Sequence, residues 1–306
     1  MKVFVDTRLI EEKAYLKLKK QFPNINFTDD FSKSKDIEVF FGLNSILTKA
    51  NIKEYKDLKW IQLYMAGFDN VDVNSYKEKG IMISNARDIF SITIAEDVIS
   101  KILYFNRDIL AFVNNKAKKV WQPIHEEKEI YNSTIGIIGT GSIGKEVAKR
   151  LQSFSPKKII GHRRKNKPVK YFDNIYTGEL GLKKVIKQAD YLILAMPLNN
   201  DTKYLFDYEK LSLMKESSLL INIARGEVVV QSDLIKILEE RKIRGAALDV
   251  TDPEPLEKTS KLWELDNVFI TPHNASSSEY MKKRLYELTK DNLTRYLRGE
   301  KVNFLL

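Results

Sequence analysis

Short apolar runs alternate with amphipathic stretches along most of the chain. MKVFVDT reads as a strand and EEKAYLKLKKQF as an amphipathic helix, and NINFT, IEVFFG, LKWIQLY and IMISNA read as further strands. A helical pattern then covers about residues 92–112, with Ile94, Val98, Ile102 and Phe105 at helical spacing. Glu96 and Asp97 near its start suit the positive end of the helix dipole. A polar segment with Trp121 and Pro123 separates this run from a second one. There, strands are predicted at 134–138, 158–161, 175–176, 191–195, 219–223, 245–250 and 268–271, with helices at 144–154 and 233–241. A last helix covers 278–298, and no strand follows it, so it is expected to return to the first domain and make that domain discontinuous. Strands alternating with helices predict parallel α/β sheets.

Composition narrows this picture. At 306 residues, 43% hydrophobic and 30% charged, the chain has the make-up of two globular domains and no run long enough for a membrane span. It has no cysteine, which excludes disulfides, thiolate metal sites and cysteine nucleophiles and fits a reducing cytoplasm. The net charge of +10 comes from lysines scattered among acids. No RGG run, zinc-finger spacing or RNP-type aromatic pattern accompanies it, so neither nucleic acid nor a membrane is the expected partner. Imidazole chemistry is confined to His125, His162 and His273, and His125 sits in an exposed-type stretch, HEEKE.

The strongest local motif is Gly139-Thr140-Gly141-Ser142-Ile143-Gly144, between the strand TIGII and the helix KEVAKRL. In that context glycines serve a tight turn, close approach of a pyrophosphate and close helix–strand packing. The free N–H groups of Ser142 and Ile143 are placed to hold phosphate. A dinucleotide-binding strand of this kind should be followed, about 20 residues on, by an acid for the ribose 2′-hydroxyl. Here the next strand ends instead in His162-Arg163-Arg164-Lys165, and the first carboxylate is Asp173. Guanidinium groups bind a 2′-phosphate that an acid would repel. The expected cofactor is therefore NADP(H) in preference to NAD(H), with Arg163 and Arg164 as main contacts and His162 beside them. The plainer alternative is a solvated basic loop.

Three further residues lie just after successive strands of the second domain: Arg225 in INIARGE, Glu254 in DVTDPEP and His273 in FITPHNA. Ligands of open parallel sheets bind at the carboxyl ends of the strands. Reduction of a 2-oxo acid needs an anchor for the carboxylate and a proton donor for the oxygen, roles that suit arginine and histidine. A glutamate bonded to the other ring nitrogen would orient the histidine and favour the imidazolium. Singly, each fits a plainer role: a turn, a loop acid between prolines, a capping histidine.

Together with LKWIQLYMAGFDNVD, SITIAEDVISKILYFNRDI, ADYLILAMPLNNDTKYLF and GAALDVTDPEPL, these motifs resemble the D-isomer-specific 2-hydroxyacid dehydrogenases over almost the whole chain. The resemblance implies two doubly wound parallel-sheet domains. A Rossmann coenzyme domain, 96–276, would be inserted into a flavodoxin-like substrate domain, 1–95 with 277–306, closing over the substrate, and the molecule would be dimeric. It further implies Arg225 as the substrate-binding arginine, Glu254 as the partner of the histidine and His273 as the general acid/base. Met65, Ala66 and Gly67 would supply backbone amides to the substrate carboxylate. Asp249 and the Ile223 carbonyl would meet the nicotinamide amide, and Pro197 and Thr202 would contact the cofactor. The expected reaction is hydride transfer between NADP(H) and a small 2-oxo acid such as glyoxylate, hydroxypyruvate or pyruvate, with D stereospecificity. Ser276 and Thr251 depart from the commoner glycine and aromatic, which bears on the nicotinamide fit, and Arg163 departs from the usual acid. Alternatives are a phosphoglycerate dehydrogenase-like enzyme, which would often carry a C-terminal regulatory domain, and a dinucleotide-sensing protein like the corepressors of this family. Tyr64, Met65, Ile89 and Phe90 either shape the substrate pocket or pack in the core.

Overall fold

The protein is described here by a computed structural model covering residues 1–48, 51–69, 71–123 and 127–306, so His125 lies outside the described residues. The chain forms two units, Met1–Phe90 with Ser277–Leu306, and Ser91–Ser276. Among the described residues no helix is long and apolar enough to cross a membrane.

The first unit is built from β1 (Lys2–Val5), α1 (Glu12–Gln21), β2 (Asn26–Thr28), β3 (Val39–Gly42), β4 (Trp60–Leu63), α2 (Val73–Glu78) and β5 (Met82–Ser84). Its five strands are all parallel in the order β2-β1-β3-β4-β5. Alternate residues of a strand face opposite sides of the sheet, and here both sides are covered. Val3, Val5, Val39, Phe41 and Trp60 join one core, whereas Phe4, Phe40, Ile61, Leu63 and Ile83 join the other. That double burial is why these strands read as nearly unbroken apolar runs.

The second unit contains α3 (Ser91–Asn106), α4 (Ile109–Lys118), β6 (Thr134–Ile138), α5 (Ser142–Leu151), β7 (Lys158–His162), β8 (Asn174–Tyr176), α6 (Gly178–Gln188) and β9 (Tyr191–Leu194). It continues with α7 (Tyr208–Leu211), β10 (Leu219–Asn222), α8 (Gln231–Glu239), β11 (Gly245–Leu248) and β12 (Val268–Ile270). The seven strands are parallel in the order β12-β11-β10-β9-β6-β7-β8. The chain runs outward from β6 to β8, then returns to β9 on the other side of β6. This makes the β6–β9 boundary the switch point where an open α/β sheet takes its ligand.

The last helix, α9 (Met281–Leu297), belongs to the first unit. A buried polar chain fixes it there. Asn292 Nδ2 donates to Gln62 Oε1 at 2.7 Å, and Ser84 Oγ donates to the same oxygen at 2.7 Å. Trp60 Nε1 donates to Ser84 Oγ at 2.9 Å, and the Tyr64 and Thr289 hydroxyls lie 2.6 Å apart. Every member is satisfied, the condition under which a buried network fixes one arrangement. Tyr64, weighed as a pocket residue from sequence, is thus a core residue, 2% exposed, and burial drives its hydroxyl pKa up. Ile89 and Phe90 pack against the same core.

The single helix expected over 92–112 is two. α3 ends at Asn106, and α4 begins after Asp108, which has a left-handed φ of 46°. The end of α3 has other partners than a further helical turn. Arg244 donates to the Phe105 carbonyl and to Asn106 Oδ1, and Lys128 N donates to the Asn106 carbonyl. Asn106 Nδ2 donates to the Tyr191 hydroxyl at 2.7 Å.

Candidate active site

The glycine loop occupies the switch point. Gly139, which follows β6, has φ +99°, and a Cβ on it would lie 2.6 Å from the Ala195 backbone at the end of β9. A Cβ at Gly144 would lie 2.1 Å from the Gly139 carbonyl, so this residue is what lets α5 start so close to the turn. Gly141 differs: a Cβ there would meet nothing within 4 Å. It is the N-cap of α5 and offers no side-chain cap. The first N–H groups of a helix have no intrahelical acceptor, so the open space over Gly141 faces unfilled donors at the positive end of a helix dipole. That cradle fits a pyrophosphate. After β9, the Thr202 hydroxyl donates to the Pro197 carbonyl at 2.7 Å and accepts from Asn199 N at 2.8 Å, which folds Pro197–Thr202 into a tight turn beside the loop.

β7 ends at His162, with Arg163 half-buried and Arg164 exposed. Among the described residues neither arginine has an acidic partner, in a structure where many other surface cations do. The arginine backbone is fixed through Arg163 N to the Tyr176 carbonyl at 3.1 Å. His162 Nε2 lies 3.1 Å from the Gly178 carbonyl, and burial lowers its pKa against the opposing pull of that carbonyl and of Glu179. His162 is therefore an uncharged neighbour of the arginines at neutral pH.

The three candidates at strand ends occupy loops after β10, β11 and β12. His273 Nδ1 and Glu254 Oε2 are 2.9 Å apart, and both side chains are partly exposed, at 47% and 39%. His273 has φ +49°, held by its amide donating to the Asp249 and Thr271 carbonyls at 2.8 and 3.0 Å. Its Nε2 makes no described hydrogen bond. Glu254 Oε1 accepts from Thr251 N at 3.3 Å, and Asp252 N is held by Gln231 Oε1 at 3.1 Å. Arg225 leads into the turn after β10, where Asn222 clasps the loop by donating to the Arg225 carbonyl and accepting from Ala224 N. Gly226 sets this loop against the next one: a Cβ there would lie 1.9 Å from the Thr251 carbonyl oxygen. That contact brings the arginine loop against the loop carrying Glu254.

Asp249 is 3% exposed, and its carboxylate accepts from Thr271 Oγ1 at 2.6 Å, Asn274 N at 2.9 Å and Ala275 N at 3.1 Å. It braces the His273 loop, and Oδ2, with fewer donors than Oδ1, keeps capacity for an amide. Ile223, the first residue after β10, is 7% exposed, and its amide donates to the Leu194 carbonyl at 3.2 Å. The braces Asn222, Gln231 and Thr271 were not singled out from sequence. Asn222 had a signal, a polar residue closing the apolar run LLIN.

In the first unit, Met65, Ala66 and Gly67 form a partly exposed turn after β4. The Ala66 carbonyl accepts from Asn85 Nδ2 at 2.7 Å and the Met65 carbonyl from Ala86 N at 2.9 Å. The carbonyls are thereby tied back into the unit.

Residues 99–275 match the family model described as D-isomer specific 2-hydroxyacid dehydrogenase, NAD binding domain. The chain belongs to this family. It is 33% identical over 317 residues to a glyoxylate reductase of Pyrococcus furiosus, covering 98% of this chain and 93% of that protein. A solved D-isomer specific 2-hydroxyacid dehydrogenase family protein from Aeromonas salmonicida superposes with a TM-score of 0.87 at 25% identity, over 100% of this chain and 98% of that one. An acyclic imino acid reductase solved with NADPH and D-Arg gives 0.85 at 27% identity, with full coverage of both chains. As a D-isomer-specific 2-hydroxyacid dehydrogenase, the protein is an oxidoreductase of the CH–OH group that interconverts 2-hydroxy and 2-oxo acids with a nicotinamide dinucleotide.

Proposed function

We propose that the protein is an NADP(H)-dependent reductase of short 2-oxo acids, glyoxylate and hydroxypyruvate among them, giving glycolate from the first and the D-2-hydroxy acid where the product is chiral. The observation that carries this reading is the His273–Glu254 pair, with Nδ1 engaged at 2.9 Å and Nε2 left for a substrate oxygen. The cradle over Gly141 would hold the pyrophosphate, Arg163 and Arg164 the 2′-phosphate, and Asp249 and Ile223 the nicotinamide amide. When bound, the cofactor supplies the hydride to the keto carbon. Arg225 would anchor the substrate carboxylate, and the amides of Met65, Ala66 and Gly67 are proposed as substrate donors of the first unit. The arginine fork would also polarise the keto group. His273 would give its proton to the oxygen that becomes hydroxyl, and Glu254 would hold the ring and stabilise its cationic form.

The preference for NADP(H) is supported by two arginines without acidic partners where an acid would select NAD(H). The substrate class is supported by the 33% identical relative named glyoxylate reductase. Oxidation of NADPH and of NADH, followed at 340 nm with a panel of 2-oxo acids, tests both. We expect NADPH to give the higher kcat/KM. A clear NADH preference removes the arginine assignment, and no turnover with any 2-oxo acid leaves a cofactor-sensing protein as the reading.

A homodimer is part of the same proposal. α4 buries none of its residues and exposes Phe112 and Val113, and Trp121 is fully exposed beside a cavity of about 640 Å³ lined by Phe112, Val120 and Pro123. So much apolar surface in one segment marks an association face, and a second copy of the chain is the occupant proposed. Sedimentation should give a dimer that Val113→Asp weakens; a wild-type monomer overturns it.

A further inference from the structure

The turn after β4 is held from behind by a side chain with no part in the chemistry above. Asn85, the residue after β5, is 1% exposed. Its backbone N–H donates to the Phe304 carbonyl at 3.2 Å, where residues 304–306 run antiparallel beside the end of β5. Its side-chain Oδ1 accepts from Arg87 N at 3.3 Å, closing an Asx turn. That leaves Nδ2 as the donor end, and it reaches back to the Ala66 carbonyl at 2.7 Å. The next amide, Ala86 N, donates to the Met65 carbonyl at 2.9 Å.

The two bonds differ in what they ask of the sequence. Ala86 acts through its backbone, which any residue but proline supplies. Asn85 acts through a side-chain amide. The Asx turn needs only an acceptor, which aspartate would serve equally well, so it is the donor end that calls for an amide here. What that donor controls follows from peptide geometry. Both peptide bonds of Met65–Gly67 are trans. A trans peptide group is planar, and its C=O and N–H point in opposite directions. The Met65 carbonyl shares its plane with Ala66 N, and the Ala66 carbonyl with Gly67 N. Fixing both carbonyls toward residues 85 and 86 therefore turns the N–H groups of Ala66 and Gly67 to the opposite side. Neither N–H has an acceptor among the described residues. Two successive unfilled donors turned the same way suit the oxygens of an anion.

We propose that Asn85 is a positioning residue: by holding the Ala66 carbonyl, its side-chain amide sets the direction of the Gly67 N–H and with it the donors that the first unit offers the substrate. This rests on the reading of those amides as substrate donors, but half of its test needs no turnover. Asn85→Asp keeps the shape and the acceptor of the Asx turn and removes the donor. Buried against the Ala66 carbonyl, the new carboxyl is driven to keep its proton, and while protonated it donates as the amide did. As pH rises through that elevated pKa, the carboxylate repels the carbonyl and the peptide turns. Asn85→Ala lacks the donor at every pH. In the ligand-free protein, the residual dipolar coupling of the Gly67 N–H should differ from wild type in Asn85→Ala throughout, and in Asn85→Asp only as pH is raised from about 6 to about 9. KM for glyoxylate, taken relative to the wild type at the same pH, should follow the same pattern, rising by about tenfold or more, with KM for NADPH little changed. If Asn85→Ala is too unstable to study, the pH series of Asn85→Asp decides alone, since its low-pH form is its own folded control. An unchanged coupling overturns the proposal whatever the enzyme reduces. So does a changed coupling with an unchanged KM for glyoxylate, and so does a KM for NADPH that rises alongside it, the mark of a general loss of structure. Couplings that change as expected in a protein whose wild type reduces no 2-oxo acid keep Asn85 as the holder of the turn and sink only the functional reading.

Discussion

Replacing Gly226 with alanine tests how the loops after β10 and β11 are held together. The added Cβ would lie 1.9 Å from the Thr251 carbonyl oxygen, 2.1 Å from its carbon and 2.7 Å from Asp252 N. All three are backbone atoms, so no rotamer change relieves the clash. An ordinary contact needs roughly 3.5 Å, so the loops must part by on the order of 1.5 Å. Thr251 N is bonded to Glu254 Oε1, and Arg225 immediately precedes the substituted residue. The displacement therefore acts on the arginine and on the support of His273 together. Overpacking of this kind costs about 1–3 kcal/mol, which in a unit of this size lowers Tm by about 2–4 °C for each kcal/mol. Misplacement of catalytic groups by about 1 Å costs roughly 100-fold in rate, and we expect kcat to fall by about that factor. The cofactor cradle lies on another loop, so Kd for NADPH should change little. Gly141→Ala is the counterpart: with nothing within 4 Å of its Cβ it should leave Tm unchanged and weaken NADPH binding. Steady-state kinetics, calorimetric Tm and NADPH fluorescence titration read both variants. A Gly226→Ala enzyme with wild-type kcat and Tm would refute the reasoning.

Arg163→Ala should raise KM for NADPH by about tenfold and leave that for NADH within about twofold, as expected for loss of a charge-assisted phosphate contact. Equal effects on both cofactors would show the arginine to be part of a general basic surface. His162 makes a pH-dependent contribution to stability. Burial holds its pKa below the unfolded value of about 6.5, so as pH falls through the interval between the two the unfolded chain takes up a proton that the folded one does not. Stability contributed by the neutral ring is present above that interval and lost below it. Urea midpoints across that range should fall more steeply with acid in the wild type than in His162→Gln, and identical slopes would contradict the assignment.

Much of the fold was legible because both sheets are buried on both faces, so their strands stand out as apolar runs such as TIGII and YLIL. The glycine motif was legible because Gly139 and Gly144 meet separate steric demands of one turn, while Gly141 leaves the space over the helix start open. Other features depended on partners far along the chain. The break after Asn106 follows from Arg244 and Tyr191, more than 80 residues away, and nothing in the local pattern FNRDIL signals it. α6 went unseen because Gly178 and Gly181 dilute its helical signal, although Leu182, Val185 and Ile186 carry the expected spacing. In the site, the order Arg225, Glu254, His273 was readable. That Asp249 spends most of its carboxylate bracing the His273 loop was not, because Thr271, Asn274 and Ala275 bind it through backbone or hydroxyl groups that leave no mark in sequence.

The most direct measurement is NADPH oxidation with glyoxylate by the wild type and by His273→Ala, together with NADPH binding by both. The account predicts steady turnover by the wild type, a loss of about a hundredfold or more in the variant for want of the proton donor, and equal Kd for NADPH. A variant that turns over glyoxylate at nearly the wild-type rate would contradict it.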